Sequence, residues 1–210
     1  PDEMGFDQFY TVINPSINSS WFGTVSGTQT QTNKALVLKS SLADYPRNLR
    51  ITYVGASGTV VNLSTGTING LDQFGSVIQE IYAGTPAADG GTIVGTKVFS
   101  KVTSGSFNFG TGDATAGTVS VGVGTGGTTT VFGLPTRLGA TSDIKLITGS
   151  FAGVGTSTMG TFVFGGTPAS AADTTYHAFK APLDLQAGTI IYHVKYRSSY
   201  AEHRPTPYIA

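Results

Sequence analysis

Three histidines, twelve carboxylates and one glycine-rich stretch are the residues whose types could support chemistry in this 210-residue chain. His177, His193 and His203 sit at no i, i+2 or i, i+4 spacing, and there is no Cys to join them in a metal site. A surface or interface histidine is the expectation at each. Asp89, Asp113, Asp143, Asp173 and Asp184 stand singly near Gly, Ser or Ala, where Asp side chains bond turn backbone. A calcium loop would concentrate carboxylates at alternating positions. Glycoside hydrolysis would need two that converge, and no spacing here suggests such a pair. Gly122-Val-Gly124-Thr-Gly126-Gly127 matches G-x-G-x-x-G by letter. A dinucleotide site needs a helix opening at that point, so that its first amides meet the pyrophosphate. Thr128-Thr-Thr-Val-Phe-Gly follows instead, which is a β-type run, so a glycine-rich hairpin is expected. No serine lies in a G-x-S-x-G elbow. The sequence therefore assigns no catalytic residue, no metal and no cofactor.

The elements that would carry these residues are strands. Gly95 to Gly133 alternates short β-branched and apolar runs with glycine turns, the pattern of a meander. Further strands are expected at Ala35–Lys39, Asn48–Val54, Thr59–Leu63, Val77–Tyr82, Asp143–Thr148, Thr161–Phe164 and Thr189–Arg197. Asn14-Pro15 and Asn69-Gly70 read as turns, the latter as a type I′ hairpin. Asp72–Tyr82 also fits a helix, with Phe74, Val77, Ile78 and Ile81 on one side. Strand is preferred there, because Gly75 and the β-branched residues oppose a helix and the neighbours are strands. In Thr189–Arg197, Ile190, Tyr192, Val194 and Tyr196 share one face; Ile191, His193, Lys195 and Arg197 share the other, wetter one.

These strands predict an all-β fold, a β-sandwich or two small β-domains with extended terminal arms. Residues 1–32 form an N-terminal arm with the first strands, 33–197 the sandwich core, and 198–210 a C-terminal arm. A sub-boundary near 83–91 would separate two domains.

Charged residues are only 11% of the chain and Gly numbers 29. An uncharged Thr/Ser/Gly exterior can pack against a neighbour with little charge to desolvate. The formal net charge of zero argues against broad attraction to nucleic acid or to an anionic membrane. No basic start precedes an apolar core, so synthesis in a cytoplasm without a cleaved signal is the expectation.

The block from Gly95 to Asp143 resembles small virion structural proteins of tailed bacteriophages. The residues that carry this are Gly95-Thr-Lys-Val-Phe, Val102-Thr-Ser, Gly112-Asp-Ala, Ala116-Gly-Thr-Val-Ser-Val-Gly, Gly133-Leu-Pro and Ser142-Asp-Ile-Lys. Thr189-Ile-Ile-Tyr-His-Val-Lys-Tyr resembles their closing strand. The resemblance implies a non-enzymatic capsid decoration (cement) protein. It would sit on the virion exterior, self-associate as a homotrimer and bind the major capsid protein. Other readings are a tail, neck or fibre component, or a carbohydrate-binding sandwich for host attachment, with Trp21 or Tyr53 lining a sugar platform. Trp21 is either a core anchor or a subunit contact. The expected interface comprises Trp21, Phe22, Tyr196, Tyr200 and Tyr208 as anchors, with Arg47, Arg50, Arg197 and Arg204 as orienting charge.

Overall fold

The computed structural model describes residues 6–28, 30–55, 61–84, 91–112, 116–123, 130–153, 160–163, 172–181 and 188–198. Within them the chain runs as strands β1 (Phe6–Ile13), β2 (Asn18–Thr28), β3 (Lys34–Ala35), β4 (Val37–Leu38), β5 (Leu42–Gly55), β6 (Val61–Leu71) and β7 (Val77–Gly84). There follow β8 (Thr92–Gly112), β9 (Ala116–Val123), β10 (Val131–Gly133), β11 (Ile144–Gly153), β12 (Gly160–Val163), β13 (Ala172–Asp173), β14 (Ala178–Lys180) and β15 (Gly188–Ser198). One turn of 3₁₀ helix, Thr141–Asp143, precedes β11. The fold is all-β and sandwich-like, as the strand pattern predicts.

Two antiparallel sheets share the strands. The smaller has the order β1-β15-β11-β12. The larger follows β13-β14-β10-β5-β8-β6-β7, with β2, β3, β4 and β9 attached. β9 bonds both β5 and β2, β2 bonds β4, and β3 bonds β8. Because β3 and β4 are neighbours in sequence, this chain of pairings curls the sheet back toward β8. Gly23 makes the closure possible: a Cβ there would lie 2.0 Å from the Val37 carbonyl oxygen.

Each sheet has its own core. Phe22, Ile51, Tyr53, Phe99, Phe107, Val119 and Val121 fill the inside of the curled sheet. Val12, Phe132, Ile147, Phe179, Tyr192, Val194 and Tyr196 fill the space between the small sheet and β10/β14. The alternation expected of β15 holds. Ile190, Tyr192, Val194 and Tyr196 are buried, whereas His193 and Arg197 are exposed.

One expectation needs correction. Asn69-Gly70 is not a turn: both residues lie inside β6, at an irregularity against β8. Gly70 is needed there because a Cβ would lie 2.0 Å from the Lys101 carbonyl oxygen. The hairpin turns instead at Asp72–Ser76, where Asp72 Oδ1 accepts the Phe74 and Ser76 amides, both at 2.8 Å. Within residues 1–32, expected as an N-terminal arm with the first strands, β1 and β2 are built into the two sheets. Beyond the expected sub-boundary near 83–91, β8 lies between β5 and β6. The C-terminal arm from residue 199 lies outside the described residues.

β8 carries a bulge at Gly95–Lys97, where its register against β5 shifts between Val94 and Val98. Buried Glu80 of β7 stitches it. Glu80 Oε1 accepts the Thr96 amide at 2.6 Å and the Lys97 amide at 3.2 Å, while Tyr82 donates to Oε2 at 2.6 Å. Asn48 Nδ2 donates to the Gly95 carbonyl at 2.8 Å, and Asn48 Oδ1 accepts the Val131 amide at 2.9 Å. Backbone groups freed by the bulge thus regain partners, which burial demands.

Two stability predictions follow from this packing. Gly70→Ala should cost about 1–3 kcal/mol or more in denaturant melts, as over-packing against rigid backbone does. Burial pushes the Tyr10 phenol up to about 12, and burial with the neighbouring Glu80 carboxylate holds the Tyr82 phenol well above its usual range. These groups ionise more easily in the unfolded chain. Their contribution to stability is present below pH ~10 and is lost as pH rises toward the folded values. Tyr10→Phe should weaken that alkaline loss, as read from unfolding midpoints between pH 9 and 12.

Candidate interaction surface

The expected interface residues do not lie together. Phe22 and Tyr196 are wholly buried, one in each core, and cannot be contact anchors on this surface. Both sit on strand faces that turn inward; the alternation of β15 points that way for Tyr196, whereas nothing local does so for Phe22. Arg47, 1% exposed, is also interior. Its Nη2 lies 2.8 Å from Asp44 Oδ1 and donates to the Ser16 carbonyl at 2.6 Å, so its charge is spent inside the chain. Burial pulls the guanidinium down to about 10, with Asp44 opposing the fall, so it stays protonated near neutrality. Arg50 is partly buried on β5, and burial lowers it too. Tyr53, offered for a sugar platform, is buried. Tyr200, Arg204 and Tyr208 lie outside the described residues.

Trp21 and Arg197 remain at the surface. Trp21 packs partly buried against the larger core, and its indole Nε1 donates to the Leu42 carbonyl at 2.7 Å. It is both anchor and rim, because Leu42 beside it, and Val37 and Leu38 on β4 next to β2, are exposed aliphatics. Arg197 is exposed on β15, its Nε 4.0 Å from Asp7 Oδ1.

The small sheet brings a second group together. On its outer face Asp7, Phe9, Thr11 and Ile13 of β1 stand opposite Arg197, Lys195, His193 and Ile191 of β15. Phe9 is 73% exposed. Lys195 Nζ lies 2.8 Å from Asp7 and 5.9 Å from the Phe9 ring centroid. The hydrogen bond from Lys195, helped by nearby Arg197 and Lys145, holds the Asp7 carboxyl below its usual range. Such exposed pairs are screened by water and contribute little to folding. A third apolar group lies on β7, the edge strand of the large sheet, where Val77 is 85% and Ile81 63% exposed.

Phe9, Ile13, Val37, Leu38, Leu42, Val77 and Ile81 were not among the residues expected at an interface. The signal for two of these groups was present. In both β1 and β7 apolar residues occur on each face of the alternation, which leaves one apolar set outside whichever face packs.

Among the described residues, Asp143, His177 and His193 each make hydrogen bonds to neighbouring turns or strands. No three His, Cys, Asp or Glu side chains converge there as a metal would require. Asp143 serves its turn, accepting the Gly139 and Ala140 amides at 2.8 Å. Asp173 lies in β13, whereas Asp89, Asp113 and Asp184 lie outside the described residues, as does His203. His193 shares a 3.2 Å hydrogen bond with Thr11. Of the glycine-rich stretch, Gly122 lies in β9, and residues 124–129 lie outside the described residues. A cleft between loops holds His177 with Phe74 and Arg137. No family model, curated protein or solved structure matches this chain.

The contrast between inward and outward aromatics is measurable. Tyr196→Ala should cost about 3–5 kcal/mol by analogy with other large core truncations. Phe9→Ala should stay within about 0.5 kcal/mol, because its ring stays largely in water on folding. Denaturant midpoints of the two variants check both.

Proposed function

We propose that this chain is a structural subunit of a larger particle, and specifically a decoration protein on the exterior of a tailed-bacteriophage capsid. It would bind major capsid protein, self-associate as a homotrimer and take no part in catalysis. The observation that carries this reading is the placement of exposed apolar residues on edge strands of both sheets: Phe9 and Ile13 on β1, Val77 and Ile81 on β7. Large apolar side chains gathered on a soluble surface mark contacts with other macromolecules. An edge strand also offers unpaired backbone groups to an incoming strand. The low charge of the chain supports the same reading, since few ions must be stripped of water when such faces meet.

The capsid assignment takes its support from the resemblance of Gly95 to Asp143 and Thr189 to Tyr196 to small virion proteins. Binding only the assembled shell would favour that shell over its free parts by mass action. Arg197 and Lys195, on the face that carries Phe9, would orient the approach.

Reconstitution of the purified protein with undecorated phage heads tests this function. The expected outcome is saturable binding and heads that withstand a higher temperature. Val77→Lys with Ile81→Lys should fold with an unchanged melt and bind at least about tenfold more weakly, a loss of about 1.4 kcal/mol. Heads left unbound, or bound with no gain in heat resistance, would overturn the assignment.

A further inference from the structure

A cleft of about 200 Å³ opens where four loops meet: the β6–β7 turn, the β8 bulge, the segment after β10 and the turn before β14. Its walls are tied to one another. Gln73 Nε2 donates to the Tyr176 carbonyl at 2.7 Å and to the His177 carbonyl at 3.3 Å. The Leu134 amide donates to the same His177 carbonyl at 2.9 Å. The Leu138 amide donates to His177 Nδ1 at 3.1 Å, which leaves the ring proton on Nε2 as a donor. His177 holds a left-handed backbone, φ 49°, an uncommon state for a residue with a side chain and one these bonds enforce.

The chemistry of the cleft is one-sided. The Arg137 guanidinium lies 4.5 Å from the Phe74 ring centroid, and the Phe74 ring meets the His177 ring edge-on at 5.6 Å. Stacking fixes the plane of a guanidinium and leaves its fork of N–H groups facing outward. Arg137 is exposed, and no hydrogen-bond acceptor meets it among the described residues. Lys97 adds a second cation, with its Nζ donating to the Gln79 carbonyl at 2.6 Å. Asp72 is the sole carboxylate in the lining, and its Oδ1 already serves the turn amides. Phe74, Tyr176, Ile78 and Val98 supply the apolar remainder. Donors without a matching acceptor, set in an aromatic and aliphatic frame, suit an anion that carries an apolar body.

We propose that this cleft binds a carboxylate borne on a single ring, with Arg137 as the bidentate partner and the Phe74–Tyr176–His177 wall against the ring. The volume agrees, since a cavity of roughly 150 Å³ accepts benzene. An acidic sugar and an aromatic acid share this chemistry. The site is distinct from the outward face of β7, although Ile78 of that strand lines it, and it does not depend on the particle on which the chain acts.

Titration calorimetry of the full chain with glucuronate, benzoate, glucose and benzyl alcohol tests the site and separates the two sources. At least one acid should bind saturably, and its uncharged counterpart at least about tenfold more weakly. Binding by glucuronate alone assigns an acidic sugar, and binding by benzoate alone an aromatic acid. Arg137→Lys keeps the charge but loses the fork, so it should weaken the bound acid about tenfold. Arg137→Ala should weaken it further, with an unchanged melt, because the side chain is exposed. Phe74→Leu provides a second variant that removes the stacking platform and should also weaken binding. The proposal fails if neither acid binds saturably, if a neutral counterpart binds as well as its acid, or if Arg137→Ala binds like the wild type.

Discussion

The two sheets are held in register by a buried charge. Between Leu42 and Arg47, β5 carries three residues more than its partner β8, and the extra chain bulges outward. Into that bulge fold Asp44, Tyr45 and Arg47. Asp44 Oδ2 accepts the Ser16 amide at 2.6 Å, and Arg47 Nη2 donates to the Ser16 carbonyl at 2.6 Å. The Tyr45 hydroxyl both accepts from the Ile13 amide and donates to the Ile13 carbonyl, each at 3.0 Å. The link between β1 and β2 is thereby fastened to β5, and with it the small sheet to the large one. Arg47 also lies 5.7 Å from the Phe132 ring centroid, in the second core. Only Arg47 is interior, while Asp44 reaches water, so the pair adds little net stability, but Arg47 without Asp44 would be a buried charge lacking compensation. Its role here is positional: alternative registers of β5 would strand Arg47 among apolar side chains.

This arrangement accounts for what the surface shows. Once β1 is fixed as the outer strand of the small sheet, its alternation sends Val12 inward and Phe9 and Ile13 outward. Once β8 lies between β5 and β6, β7 becomes an edge, and Glu80 and Tyr82 must face in to serve the β8 bulge. Val77 and Ile81 then face out, because neighbours in a strand alternate. The apolar exterior is the other side of two polar commitments inside. The same bulge places Lys97 and Val98 against the Asp72 turn, and so makes one wall of the cleft.

Strand positions were legible because β-branched residues and glycine turns report on local backbone preference. β7 shows this well: Gly75, Val77 and Ile78 oppose a helix whatever surrounds them, and a strand is found. β15 shows it again, since its two faces differ plainly in polarity. Asn69-Gly70 reads as a turn because a turn and a bulge both favour glycine, and only the nearness of the Lys101 carbonyl separates them. The interface residues were harder still. Trp21 and Phe22 are adjacent at an irregularity of β2, and both meet the larger core, Trp21 at its edge and Phe22 wholly inside; nothing in their types says which goes deeper.

The sequence by itself settled the all-β class, the inner face of β15 and the low charge of the exterior, because each follows from side-chain type and a period of two. Pairing decided the rest. That Arg47 is a structural strut, that Glu80 serves a bulge, that Phe9 and Val77 face water and that Arg137 meets Phe74 all depend on segments far apart in the chain. Such contacts form only when a register is chosen, and register is set by the sum of both cores and their buried polar partners, a quantity no local stretch contains.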